Sequence, residues 1–255
     1  MEVLPRLHGE FLGAIASGFV LGYLTSLLVN KKSRTSCSEV SEHPPPLSKL
    51  PEFAKHLRGN KNLQKVRLRE WEDLVFRREN GWKGHDLIHN PEGKAVRILE
   101  YYWEPNEQEL YGVVWFGPDC ESHRGLCHGG SFTSVLDDIA GHIAFLAGDS
   151  PWFGATVTIN VKLKKPILLG SILRVKGKVV AEGKKRRVTA SLDSVEADGS
   201  TIQYATLEGL SIAGVRLVAE EGHLDDQVSS RKWETYTDDN GFTTICDTGW
   251  NKELF

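Results

Sequence analysis

Hydrophobic and polar positions follow two periods in the middle of the chain. Across residues 155–164 they alternate: Val157, Ile159, Val161 and Leu163 fall on one face, and Thr156, Thr158, Asn160 and Lys162 on the other. That period of two marks a strand with one buried face. Strand patterns also cover residues 96–103 and 109–116, joined at Glu104-Pro105-Asn106. Three more cover 171–181, 185–196 and 201–212, separated by Glu182-Gly183 and Asp198-Gly199. Connections this short join antiparallel neighbours, because parallel strands need long crossovers. Between the second and third strands, residues 129–148 switch to a helical period. Phe132, Val135, Leu136, Ile139, Ala140, Ile143 and Leu146 fall within an arc of roughly 140°, the stripe of a helix embedded on a sheet. The pattern predicts an α+β domain: one long helix against a curved antiparallel sheet.

The flanks behave differently. Residues 11–29 carry no charge, and the run closes at Lys31, Lys32 and Arg34, with Arg6 the firm cation before it. About twenty helical residues at roughly 1.5 Å each cross a hydrocarbon core of about 30 Å. Residues 1–32 are therefore expected to be a membrane anchor or targeting segment. Its basic C-terminal flank would leave the body on the cytosolic face of an intracellular membrane, or in a mitochondrion. Residues 33–51, with Pro44-Pro45-Pro46, read as a linker. Residues 52–94 read as a lead-in with helical patterns at 52–58 and 63–78. The tail, 216–255, holds nine acidic residues against three Lys/Arg from position 217 on and shows little periodicity, so it is expected to be mostly irregular.

Composition narrows the class. Of the 255 residues, 40% are hydrophobic and 25% charged, which excludes wholesale disorder. The balance of 31 Lys+Arg against 34 Asp+Glu announces no nucleic-acid binder. Four cysteines are too few for a disulfide framework and fit reduced thiols. Phosphate-cradling Walker and dinucleotide fingerprints are missing, as is Gly-x-Ser-x-Gly, so no bound cofactor is expected. Cys120, His123, Cys127 and His128 place four soft-metal ligands close together, yet no second cluster completes the pattern and no metal is expected.

The candidate chemistry sits on the helix. His128-Gly129-Gly130 opens it, where unpaired N–H groups and the positive dipole end can polarise a carbonyl. Those glycines equally suit plain relief of crowding where loop becomes helix. Asp137 lies about 60° beyond the apolar arc among Thr133, Gly141 and Ala144, so a substrate or second subunit could approach it. Asp138 lies on the opposite shoulder, with His142 as an i, i+4 partner, and reads as a solvated charge. Between Lys162 and Arg187 ten cations face Glu182 alone, an asymmetry suited to a polyanionic ligand.

In combination, Gly125-Leu126-Cys127-His128-Gly129-Gly130, Asp137 nine residues after the histidine, and strands leading to Lys164-Lys165-Pro166 resemble the hotdog-fold acyl-CoA thioesterases. Among them the pattern is similar to thioesterase superfamily members four and five, in the phenylacetate-thioesterase-like branch. The resemblance spans roughly residues 95–215 and implies a sheet wrapped around one helix, in a homodimer or dimer of dimers with each active site at the subunit boundary. It implies Asp137 as general base or nucleophile, and His128 with Gly129 and Gly130 as the group polarising the thioester carbonyl. Thr156 would face the site across the dimer, Asn160 and Lys162 would hold the coenzyme, and Lys184 and Lys185 would contact its phosphates. The implied reaction is hydrolysis of fatty acyl-CoA to free acid and CoA. A non-hydrolytic acyl-CoA-binding or regulatory protein on the same fold stays open beside it.

Overall fold

The computed structural model describes residues 40–148, 150–215 and 231–248; the expected anchor at 11–29 lies outside them. Among the described residues, no helix is long and apolar enough to cross a membrane.

Eleven strands and four α-helices are named in chain order. The lead-in gives α1 (Glu52–Gly59), β1 (Gln64–Arg67), α2 (Arg69–Glu72) and α3 (Leu74–Glu79). Then come β2 (Val96–Glu104), β3 (Glu109–Phe116), the small hairpin β4 (Glu121–His123) and β5 (Leu126–Cys127), and the long α4 (Gly129–Leu146). Strands β6 (Gly154–Leu163), β7 (Ile172–Glu182), β8 (Lys185–Val195) and β9 (Thr201–Ala213) follow, with β10 (Trp233–Thr237) and β11 (Thr243–Asp247) last. Nine strands form one sheet in the order β10-β11-β1-β2-β3-β7-β8-β9-β6. Every pairing in it is antiparallel except β1 with β11. The apolar stripe of α4 packs on the inner face: Val135, Leu136, Ile139 and Ile143 are buried with Val175, Leu192 and Leu207. This is the hotdog arrangement, a helix wrapped by a curved sheet.

Two expectations need correction. The pattern at 63–78 is not one helix. Val66 pairs with Tyr101 on one side and Ile245 on the other, so sheet pairing captures β1. Asp73 then separates α2 from α3, its side chain accepting the Phe76 N–H at 2.8 Å as an N-cap. The tail, expected to be irregular, supplies β10 and β11. A pair of five-residue strands with few apolar positions shows little periodicity, and what holds them is β1 together with buried Ile245 and Cys246. Arg231 ties the tail down, pairing with buried Glu70 on α2 and buried Asp247 on β11.

Candidate active site

The mouth of α4 is built by its own first residues. His128 is the N-cap, and its Nδ1 accepts the Gly130 N–H at 2.8 Å. A Cβ on Gly130 would stand 2.8 Å from that Nδ1, so glycine is what lets the cap close. A Cβ on Gly129 would meet Leu163 Cδ1 at 2.7 Å, but that atom tips an exposed side chain that can swing aside. The Gly129 N–H, in the first turn, has no acceptor within the helix and lies at the positive end of the dipole. The two glycines thus differ: one serves the cap, and the other leaves an amide open to a ligand.

Asp137 faces β6. The Thr156 hydroxyl donates to its carboxylate. Partial burial raises the Asp137 pKa, the Thr156 bond pulls it back, and the Asp138 charge pushes it up again. The alternation along β6 places Thr156 on the face of Asn160 and Lys162; the register corrects this. The β6–β9 pairing shifts between Thr156 and Thr158, with Val157 as the extra residue. Such a bulge re-aims side chains. Thr156 therefore turns to α4, opposite Ser211, whose hydroxyl contacts the Ala140 carbonyl at 3.4 Å.

The sequence-derived site residues do not all converge within one chain. Asp137 lies nine residues after His128, about 13.5 Å along a helix at 1.5 Å per residue. Asn160 and Lys162 lie on the outer face of β6, Lys162 Nζ 4.0 Å from Glu208. Lys162 is at the end of β6 beside Gly129. Lys184 and Lys185 occupy the β7–β8 turn at the other end of α4, where Arg186 Nη2 donates to the Ala147 carbonyl at 3.3 Å.

The structure also contains a polar cluster that sequence reasoning missed. Asp138 is not a solvated charge. Its carboxylate accepts from Tyr101 OH at 2.8 Å and from His89 Nε2 at 3.0 Å, with His142 Nδ1 3.3 Å away. Trp71 stacks on His89 at 4.0 Å. Burial by itself would raise the Asp138 pKa; His142 and His89 reverse that and hold it far below the usual carboxylate range. Burial would lower His142, but the facing carboxylate raises it instead. Burial and the Asp138 charge together push Tyr101 well above its ordinary value. The only signal in the sequence was the i, i+4 spacing of Asp138 and His142. His89 and Tyr101 arrive from a loop and a strand far away in the chain.

His89, Asp138 and His142 bring potential metal-ligand atoms within 4.8 Å of one another. However, His142 Nδ1 lies 2.9 Å from the Asp138 carbonyl, which requires a proton on that nitrogen. The geometry is that of three donors around one carboxylate. The quartet at 120–128 does not close on a point either: Cys120 and Cys127 are buried, whereas His123 and His128 are exposed.

Residues 124–190, from the hairpin through β8, match the model of the Thioesterase superfamily. That segment is similar to the superfamily, and the fold that holds it is the hotdog arrangement described above. Over 81 residues the chain is 31% identical to acyl-coenzyme A thioesterase THEM5 of Mus musculus, a match covering 32% of this chain and 31% of that protein. A thioesterase family protein from Silicibacter pomeroyi is 22% identical over 42% of this chain and 78% of its own, with a TM-score of 0.37. An acyl-CoA hydrolase from Staphylococcus aureus, solved with butyryl coenzyme A, is 21% identical over 48% of this chain and 70% of its own, with a TM-score of 0.39.

Proposed function

We propose that this chain hydrolyses fatty acyl-CoA thioesters to free fatty acid and CoA, as a homodimer or dimer of dimers. The observation carrying this reading is Asp137, a carboxylate of raised pKa opening beside Thr156 on a strand with a free edge. Among the described residues β6 pairs with β9 alone, while Val157 and Leu163 on it are 55% and 53% exposed. A long edge strand with exposed apolar side chains is a template for a second copy. Two copies joined there with antiparallel helices would bring the His128–Gly130 mouth of one to Asp137 of the other. They would also bring Asn160 and Lys162 of one copy towards Lys184 and Lys185 of the other. The superfamily match and the partial likeness to a named acyl-CoA thioesterase support the same chemistry.

In the step proposed, Asp137 takes a proton from water as the water oxygen attacks the thioester carbonyl carbon. The Gly129 N–H donates to the oxyanion that forms. The carbonyl re-forms as the carbon–sulfur bond breaks, and the proton held by Asp137 passes to the departing thiolate of CoA. Attack by the Asp137 carboxylate itself is the covalent variant of the same step. Residues 11–29 would tether the enzyme to a membrane.

Thiol release from acyl-CoAs of increasing chain length, with the molar mass of the protein measured alongside, tests the reading. Turnover by a dimer or tetramer, lost in Asp137→Asn with substrate binding retained, is expected. Binding without turnover in the parent protein would instead favour the non-hydrolytic acyl-CoA binder, and a monomer with full activity would overturn the shared site.

A further inference from the structure

We propose that Cys120 and Cys127 form a redox-active dithiol that closes to a disulfide at the mouth of α4 when the protein meets a peroxide. Both thiols are free, and their residues are 4% and 7% exposed. The backbone brings them together. Glu121 pairs with Cys127 across the β4–β5 hairpin, and the His128 N–H donates to the Cys120 carbonyl at 2.7 Å. Cys120 and Cys127 are thus diagonal neighbours across the hairpin, and both are buried in the same apolar cluster. The side chains meet as well, each thiol being the other's hydrogen-bond partner.

These contacts divide the roles. Donation from Cys127, foremost, lowers the Cys120 pKa against its burial, whereas giving up that hydrogen bond and burial raise Cys127. Cys120 is then the more readily ionised of the two and Cys127 the resolving thiol. The Cys120 sulfur attacks one oxygen of hydrogen peroxide and the O–O bond breaks. The departing hydroxide takes a proton, giving one water and a sulfenic acid at Cys120. The Cys127 sulfur then attacks the Cys120 sulfur, and the hydroxyl leaves with the Cys127 proton as a second water. Two thiols and one peroxide thus give one disulfide and two waters. The bond would lock the loop immediately before His128, whose ring caps the helix. Nothing in this inference depends on the reaction proposed for Asp137.

The full-length protein, treated with a small excess of hydrogen peroxide at neutral pH, is read by intact mass and peptide mapping. Trypsin cuts after Arg124, between the two cysteines, so the disulfide appears as a linked peptide pair that dithiothreitol separates. We expect a loss of two mass units, reversed by dithiothreitol, and a fall in titratable thiols from four to two. Cys120→Ser and Cys127→Ser each abolish the linked pair, while Cys246→Ser keeps it. A gain of sixteen or thirty-two mass units at Cys120 without the linked pair would overturn the proposal. So would unchanged thiols, or a bond to Cys246. Because the mapping is done on the parent chain, the result stands whether or not the serine variants fold.

Discussion

Asp137 and Asp138 are neighbours on α4, yet their carboxylates have opposite surroundings. Asp138 is enclosed by Tyr101, His89 and His142, while Asp137 opens towards Thr156 and the free edge of β6. A helix turns about 100° per residue, so adjacent positions can serve a buried network and an accessible site. Replacing Asp137 with Asn should lower kcat by about a hundredfold to ten-thousandfold, with KM little changed, as loss of a general base does. Asp138→Asn should instead reduce stability by about 3–5 kcal/mol, because it removes the charge its buried partners were arranged around. Steady-state kinetics and urea titration on the two variants separate the roles; the reverse pattern would exchange them.

The pH dependence of stability follows from the same cluster. Asp138 is depressed in the folded state. Its contribution is therefore present above the unfolded value of about 3.9 and is lost as pH falls through the folded value. His142 is raised. Its contribution is complete below the unfolded value of about 6.5 and is lost as pH rises through the higher folded value. Urea midpoints measured from roughly one unit below the unfolded Asp value to roughly two and a half above the unfolded His value, about pH 3–9, should show a plateau falling at each end. His142→Gln should flatten the alkaline side, and an alkaline decline that survives the substitution would contradict this assignment.

Activity should have a different acid limb. In the reaction proposed, Asp137 acts in its ionised form, and its pKa is raised above the ordinary carboxylate value of about 3.9. Catalytic efficiency should therefore rise with pH through a midpoint above that value. The limb should be absent in Asp137→Asn, measured from the residual rate.

The two glycines at the helix mouth should respond differently to a methyl group. Gly130→Ala intrudes on His128 and should cost about 1 kcal/mol, the usual worth of an N-cap. Gly129→Ala displaces only the tip of exposed Leu163, so its stability change should stay within about 0.5 kcal/mol. Turnover should nevertheless fall, because the methyl group stands at the open amide. Thermal melts alongside kinetics would show it, and full activity in Gly129→Ala would remove that amide from the mechanism.

Arg231 joins Glu70 and Asp247, both buried. Arg231→Met leaves two buried carboxylates unpaired and should destabilise the protein by about 3–5 kcal/mol. Hydrogen exchange should locate the loss in β10 and β11, whose other ties run through β1. Protection kept in these strands would show that the pairing is dispensable.

Local periodicity determined the long helix, strands β2, β3 and β6 to β9, and the antiparallel pairing of β2 with β3, β7 with β8 and β8 with β9. These elements have apolar faces long enough to repeat several times, and turns too short for any other connection. The same reading found the helix mouth and singled out Asp137, because both are features of one continuous segment. Only the tertiary structure decided the rest. Whether Val66 belongs to a helix or a strand depended on Tyr101 and Ile245, far away in sequence. The orientation of Thr156 depended on one extra residue in a register that alternation cannot reveal. Helical phase alone makes Asp138 a solvated charge, because its partners His89 and Tyr101 lie 49 and 37 residues away. A charged side chain shows its own polarity in the sequence, but its burial is set by donors that the fold brings to it.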